Sequence, residues 1–141
     1  MPIDASFAGR EYPPTAPYQV SRAKIAEFAA ALGDGSNPAY DGPAAIAPPT
    51  FAAVLAADAW GALFEDPDLG LSLSRTIHAD QRFTWVRPLH AGDEVTAALR
   101  IDKVAMRGAT AILTIDVVLA VGGDEVCRST STLMHSGQAA A

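Results

Sequence analysis

The run Gly33-Asp34-Gly35-Ser36-Asn37-Pro38-Ala39-Tyr40-Asp41 holds the residue types of a proton-transfer loop. An aspartate held over a cleft can take or give a proton, and an asparagine in the same loop can help it hold a water. The aromatic of the run is Tyr40. A phenol, with an unperturbed pKa near ~10, donates a proton but is a poor base around neutral pH. The same residues also suit plainer roles. Asp34 can close a turn by accepting from backbone N–H groups, and Tyr40 can be a half-buried aromatic.

Little else in the chain offers chemistry of its own. His78 lies in a strand-like run, and His90 and His135 lie near strand ends and read as surface residues. Three histidines, one cysteine and scattered acids make no metal-ligand spacing, so no metal is expected. Ser72, Ser74, Ser129 and Ser131 alternate along strands without the sharp turn that a nucleophile needs. Neither standard glycine-rich phosphate loop is present, and no cofactor is expected. The lone Cys127 forms no intrachain disulfide, suits a reducing compartment and reads as core packing.

With a net charge of −6 and no run of basic residues, the chain is a poor nucleic-acid binder. The N-terminus lacks the basic start and apolar core of a signal peptide, and no apolar run approaches the ~20 residues of a membrane span. The expected address is the cytoplasm, with no membrane partner.

The elements that must hold this loop follow from the pattern. Half the residues are hydrophobic and the length of 141 residues suits one domain over 1–141, with a tail from about 136 that frays. Pro13, Pro14 and Pro17 impose an extended lead-in, with a short strand near residues 18–20. Ser21 then caps a helix whose apolar face is Ile25, Phe28, Ala29 and Leu32, and Gly33 ends it. A long loop rich in glycine and proline runs to Pro49, and a second helix starts at Thr50. Its run TFAAVLAADAWGALF is apolar nearly all round and predicts a buried helix. Asp58 interrupts that run, with Arg75, Arg82 and Arg87 as candidate partners, or else faces a channel or a second subunit. The remaining half predicts three or four long antiparallel strands, two of them joined across Gly122-Gly123-Asp124. One apolar helix followed by long strands predicts an α+β fold, a curved antiparallel sheet wrapped around a central helix.

This arrangement, preceded by GDGSNPAYD, resembles the hot-dog fold of the MaoC-like or R-specific enoyl hydratases. That family's signature runs roughly Gly-Asp-x-Asn-Pro-x-His, and Gly33, Asp34, Asn37 and Pro38 match it with one extra residue after Asp34. AGREYPP, IAPPTF and HADQRFTWVRPLHAGDEV bring the likeness closer to the MaoC-like dehydratase N-terminal-domain group with its HadA-type subunits, over about residues 5–135. The resemblance implies interconversion of a (3R)-3-hydroxyacyl thioester and a trans-2-enoyl thioester, carried by a carrier protein or coenzyme A. It implies an acid–base pair on the loop and backbone donors at the start of the central helix. Asn37, Pro49, Thr50, Phe51 and His78 then fall at substrate-binding positions, with Phe51, Trp60 and Phe64 setting channel depth.

Two departures stand out against that pattern. Tyr40 takes the place of the family's histidine, and Pro48 and Pro49 carry no N–H at the helix start. Asp34 alone is an incomplete catalytic set. Heterodimers of this group pair a working subunit with one that lacks the Asp–His pair, and the resemblance implies the second kind here. Three alternatives stay open: a homodimer that binds acyl thioesters without chemistry, a stand-alone hydratase using Asp34 with Tyr40 or with a residue of the other protomer, and a thioesterase using Asp34 to activate water.

Overall fold

A computed structural model describes residues 3–137. The lead-in, held extended by its prolines, carries the short strand β1 (Tyr18–Gln19). Helix α1 (Arg22–Ala31) follows, with the Ser21 hydroxyl accepting from the Lys24 N–H at 3.0 Å as its N-cap. After the long loop, a single 3-10 turn (Pro49–Phe51) leads into α2 (Ala52–Glu65). Four long strands complete the chain: β2 (Thr76–Trp85), β3 (Glu94–Arg107), β4 (Thr110–Val121) and β5 (Asp124–Ser136). The sheet is antiparallel in the order β1-β3-β4-β5-β2.

The sheet curls around α2, as the sequence predicts, with bulges in β2, β3 and between β4 and β5 helping to bend it. Its inner face alternates in period two, with Val95, Ala97, Leu99 and Ile101 on β3 and Ala111 to Leu119 on β4 buried. Against it α2 buries Ala52, Leu55, Ala56, Ala59 and Leu63. The β4–β5 turn is Gly122-Gly123, both at positive φ (59° and 88°), as a two-residue type I′ hairpin requires.

The two sheet edges differ. Along β3 the lead-in adds a ragged extra line of pairing, from Gly9 N–H to the Ile101 carbonyl (2.7 Å) through Tyr12 to Leu99 (3.0 Å) and Thr15 to Ala97 (2.9 Å). No described strand pairs with the outer side of β2. Its ten residues leave a row of backbone groups unpaired in the isolated chain.

The lead-in is fastened to the end of α2 by Asp66, which accepts from Arg10 at 2.7 Å and from the Tyr12 hydroxyl at 2.6 Å. Burial opposes ionisation of Asp66, but the Tyr12 and Arg10 hydrogen bonds outweigh it and hold its pKa below the usual carboxylate value. A lowered folded-state pKa means that the stabilisation is complete above the unfolded-state value of about 3.9 and is lost as pH falls through the folded-state value. Thermal unfolding should therefore show Asp66→Asn less stable than the wild type at neutral pH. The gap should close below about pH 4.

Four sequence expectations are corrected here. Leu32 is 53% exposed and does not share the buried face of α1, where Ile25 and Ala29 do the burying. The central helix is not buried all round: Ala53, Val54, Ala57, Asp58 and Gly61 form an exposed face. Asp58 therefore needs no arginine, and Arg75, Arg82 and Arg87 bond the Gly137 carbonyl, Asp80 and Asp93 instead. His135, read as a surface residue, is 8% exposed and accepts from the Ser72 N–H through Nε2 at 3.1 Å. Of the tail, Ser136 ends β5 and Gly137 donates to the Ala109 carbonyl at 2.7 Å; positions 138–141 lie outside the described residues.

Candidate functional site

Gly33, at φ 77°, lets the chain leave α1 in a left-handed step that most side chains would oppose. Its N–H bonds the Ala30 carbonyl (3.0 Å) and the Asp34 N–H bonds that of Ala29 (2.9 Å), the paired bonds of a Schellman end. Asp34 is thus placed by its backbone as the second residue beyond the C-cap Leu32. Asn37 fixes the rest of the loop: its Oδ1 accepts from the Ala39 N–H at 3.0 Å, starting the short turn Pro38–Tyr40. Its Nδ2 donates to the Asp34 carboxylate at 3.2 Å. Asp34 is exposed, and among the described residues Asn37 is the sole side-chain partner of its carboxylate. Tyr40 is half-buried with its ring packed against the core.

The loop is tied to the start of the central helix through Ile46, whose N–H bonds the Ala39 carbonyl at 3.0 Å, and Ala47, bonded to Leu89 at 2.8 Å. Pro48 is buried, whereas Pro49 and Thr50 are exposed at the helix mouth. The donors there can be counted. Pro48 and Pro49 have none, the Phe51 N–H is used by the Pro48 carbonyl at 2.9 Å, and the Ala52 N–H turns back to Pro49. Between residues 48 and 52 only the Thr50 N–H lacks a backbone acceptor. The Phe51 side chain is 0% exposed, lying 5.2 Å edge-on to Phe28 and 6.3 Å from Tyr18 between ring centroids. It supports this corner from within the core.

His78 stands elsewhere, on the edge strand β2, which pairs with β5 on one side only. Its Nε2 meets Gln81 Oε1 at 3.0 Å and its ring lies edge-on to Trp60 of α2, with centroids 5.0 Å apart. Gln81 in turn donates to Ser129 Oγ at 2.7 Å and accepts from Ser131 Oγ at 2.6 Å. A polar layer thus runs from β2 to β5 beside the central helix. The Trp60 indole N–H is buried and without a partner among the described residues. Sequence reasoning missed this layer. Its signal was the period-two placement of Ser129 and Ser131 with Leu133, which puts all three on the inner face. Gln81→Ala would strand both buried hydroxyls and is expected to cost about 1–3 kcal/mol in denaturant unfolding, whereas an exposed change such as Arg82→Ala should stay within about 0.5 kcal/mol.

A groove of about 660 Å³ opens at the other end of the sheet, lined by Leu69, Ser72, Arg75, Met106 and His135 among others. Burial and then the Arg75 charge lower the His135 pKa, which keeps that ring neutral. Asp34, Asn37, Tyr40, Pro49 and Thr50 do not line this groove. Cys127 is fully buried, and that burial raises its thiol pKa to about 11.

Comparison with known proteins gives this geometry a family. Residues 6–129 match the family described as FAS1-like, dehydratase domain region. A UPF0336 protein of Cutibacterium acnes is 55% identical over 137 residues, 96% of each chain. Among solved structures, a chain of the HadBC (3R-hydroxyacyl-ACP dehydratase) complex from Mycobacterium tuberculosis superimposes with a TM-score of 0.80 at 27% identity, over 95% of this chain and 99% of that one. A MaoC-like dehydratase superimposes at 0.82 and 22% identity over 94% of this chain but only 43% of its own, so one such fold accounts for less than half of it. The chain belongs to the FAS1-like dehydratase-region family and carries the hot-dog fold of the MaoC-like dehydratases.

Proposed function

We propose that this chain is the non-catalytic hot-dog subunit of a dehydratase that interconverts (3R)-3-hydroxyacyl and trans-2-enoyl thioesters, carried by a carrier protein or coenzyme A. The reaction needs a base for the α-proton, an acid for the β-hydroxyl and donors for the negative charge that develops on the thioester oxygen. The observation that carries the reading is the poverty of donors at the helix mouth, where between residues 48 and 52 only Thr50 retains a free N–H. The loop adds to it: Asp34 has Asn37 beside it and a phenol where the family's imidazole would stand. Asn37, Pro49 and Thr50 then shape one wall of a shared cleft, Phe51 supports that wall, and His78 with its polar layer belongs to the β2 side.

Assembly follows the sheet edges. The lead-in covers β3 while β2 is left open, so a second hot-dog sheet adds along β2. Among the described residues, four of the six large exposed apolar side chains, Val54, Leu73, Ile77 and Val86, lie on α2 or on β2 and its flanks. The HadBC complex, named for two subunits, gives the reading a precedent in a related fold. The test is reconstitution with a MaoC-like chain that carries both aspartate and histidine. Hydration of a trans-2-enoyl thioester should rise with added chain and level off at one-to-one. A rate that does not depend on this chain at any ratio contradicts the proposal.

A further inference from the structure

Arg75 brings a positive charge to the groove at the far end of the sheet, and no described acid answers it. It closes the 3-10 turn Leu73–Arg75, and its Nη1 donates to the Gly137 carbonyl at 3.0 Å. Gly137 is held in turn by its own N–H, bonded to the Ala109 carbonyl at 2.7 Å. The approach is close enough to require glycine, since a Cβ there would lie 2.7 Å from the same carbonyl oxygen. The guanidinium is thus steadied by backbone rather than by a carboxylate. The acids that precede Leu69 in the chain, Asp66 and Asp68, are taken by Arg10 at 2.7 and 3.1 Å.

His135 adds a directed donor to the same groove. Its Nε2 accepts from the Ser72 N–H, so in the neutral ring the proton sits on Nδ1. Among the described residues nothing accepts from that Nδ1. Much of the remaining lining is apolar: Ile3 and Leu69 are buried, while Met106 is left 43% exposed. An unbranched thioether adapts its shape to whatever lies against it. A guanidinium matches the two oxygens of a carboxylate, and the neutral N–H can add a further bond. The apolar bed beside them suits an aliphatic tail, and about 660 Å³ is within the range of small-molecule sites.

We infer that this groove is a second ligand site, which takes an aliphatic monocarboxylate with its head on Arg75 and His135 and its tail along Ile3, Leu69 and Met106. It shares no residue with the Asp34 loop or the helix mouth, so it stands or falls apart from the subunit reading. The probe is octanoate, titrated into the full chain with methyl-labelled methionine and followed by NMR. Octanol keeps the tail without the charge, and acetate keeps the charge without the tail. The Met106 methyl signal should move saturably with octanoate, while that of Met134, which does not line the groove, should stay in place. Octanol should bind at least about tenfold more weakly and acetate at least about 100-fold more weakly. Arg75 is exposed, so R75Q should keep the fold and its melting curve. R75Q should weaken octanoate at least about tenfold and leave octanol within about twofold, and R75K should restore part of the loss. No saturable movement of the Met106 signal overturns the inference, and so does R75Q that binds octanoate as tightly as wild type.

Discussion

Purified on its own, this chain is expected to leave trans-2-enoyl thioesters unhydrated, with the absorbance of the conjugated thioester falling no faster than in buffer. The expectation comes from two missing parts. A positioned base contributes about 10²–10⁴ in rate, and the loop presents Tyr40 in place of an imidazole. A single oxyanion donor contributes about 10²–10³, and the helix mouth has spent or lost all but the Thr50 N–H between residues 48 and 52. Together the deficit is about four to seven orders of magnitude relative to a complete site. Tyr40→His should recover at most the share that the missing base accounts for. The new imidazole would stand over a corner with one donor, leaving the rate at least about 100-fold below that of a complete site. Robust turnover by the wild-type chain alone would show that the corner does more than its donors allow.

The largest loss of stability is expected at Phe51. Its ring is fully buried where the helix mouth, α1 and β1 meet, against Phe28 and Tyr18. Truncation to alanine removes that burial and leaves a cavity walled by elements that cannot easily collapse. Phe51→Ala should cost about 3–5 kcal/mol. In a domain of this size that lowers the thermal midpoint by roughly 10–20 °C in calorimetry. Thr50→Ala, one residue earlier but exposed, should change stability by no more than about 0.5 kcal/mol. Equal effects at the two positions would mean that Phe51 is not the anchor of this corner.

The architecture was largely legible before any coordinates, because each element carries its own signal. Ser21 and Gly33 bracket α1, Gly122-Gly123 marks the last hairpin, and alternation along β4 reports a sheet buried on one face. The central helix misled for a physical reason. An apolar composition shows that a helix avoids water but not what shields it, and part of α2 is open in the single chain. Asp58 belongs to that open face, so the arginine pairing expected for it was unnecessary. Asp34 and Asn37 stand in the loop that the sequence predicts after α1, and the hydrogen bond between them joins residues three apart. The polar layer of His78, Gln81, Ser129 and Ser131 was not found, because it joins two strands far apart in sequence. The use of the Phe51 N–H by Pro48 depends on one turn's dihedral angles, which residue types leave open.

The central claim is that GDGSNPAYD holds the shape of a site whose chemistry is done elsewhere. The most direct measurement is kcat of the one-to-one pair with a catalytic MaoC-like chain, made once with wild type and once with Asp34→Asn in this chain. The account predicts the same kcat within about twofold, since Asp34 transfers no proton in the pair. A fall of about 100-fold or more, with the pair still assembled, would make Asp34 a working acid or base and contradict the account.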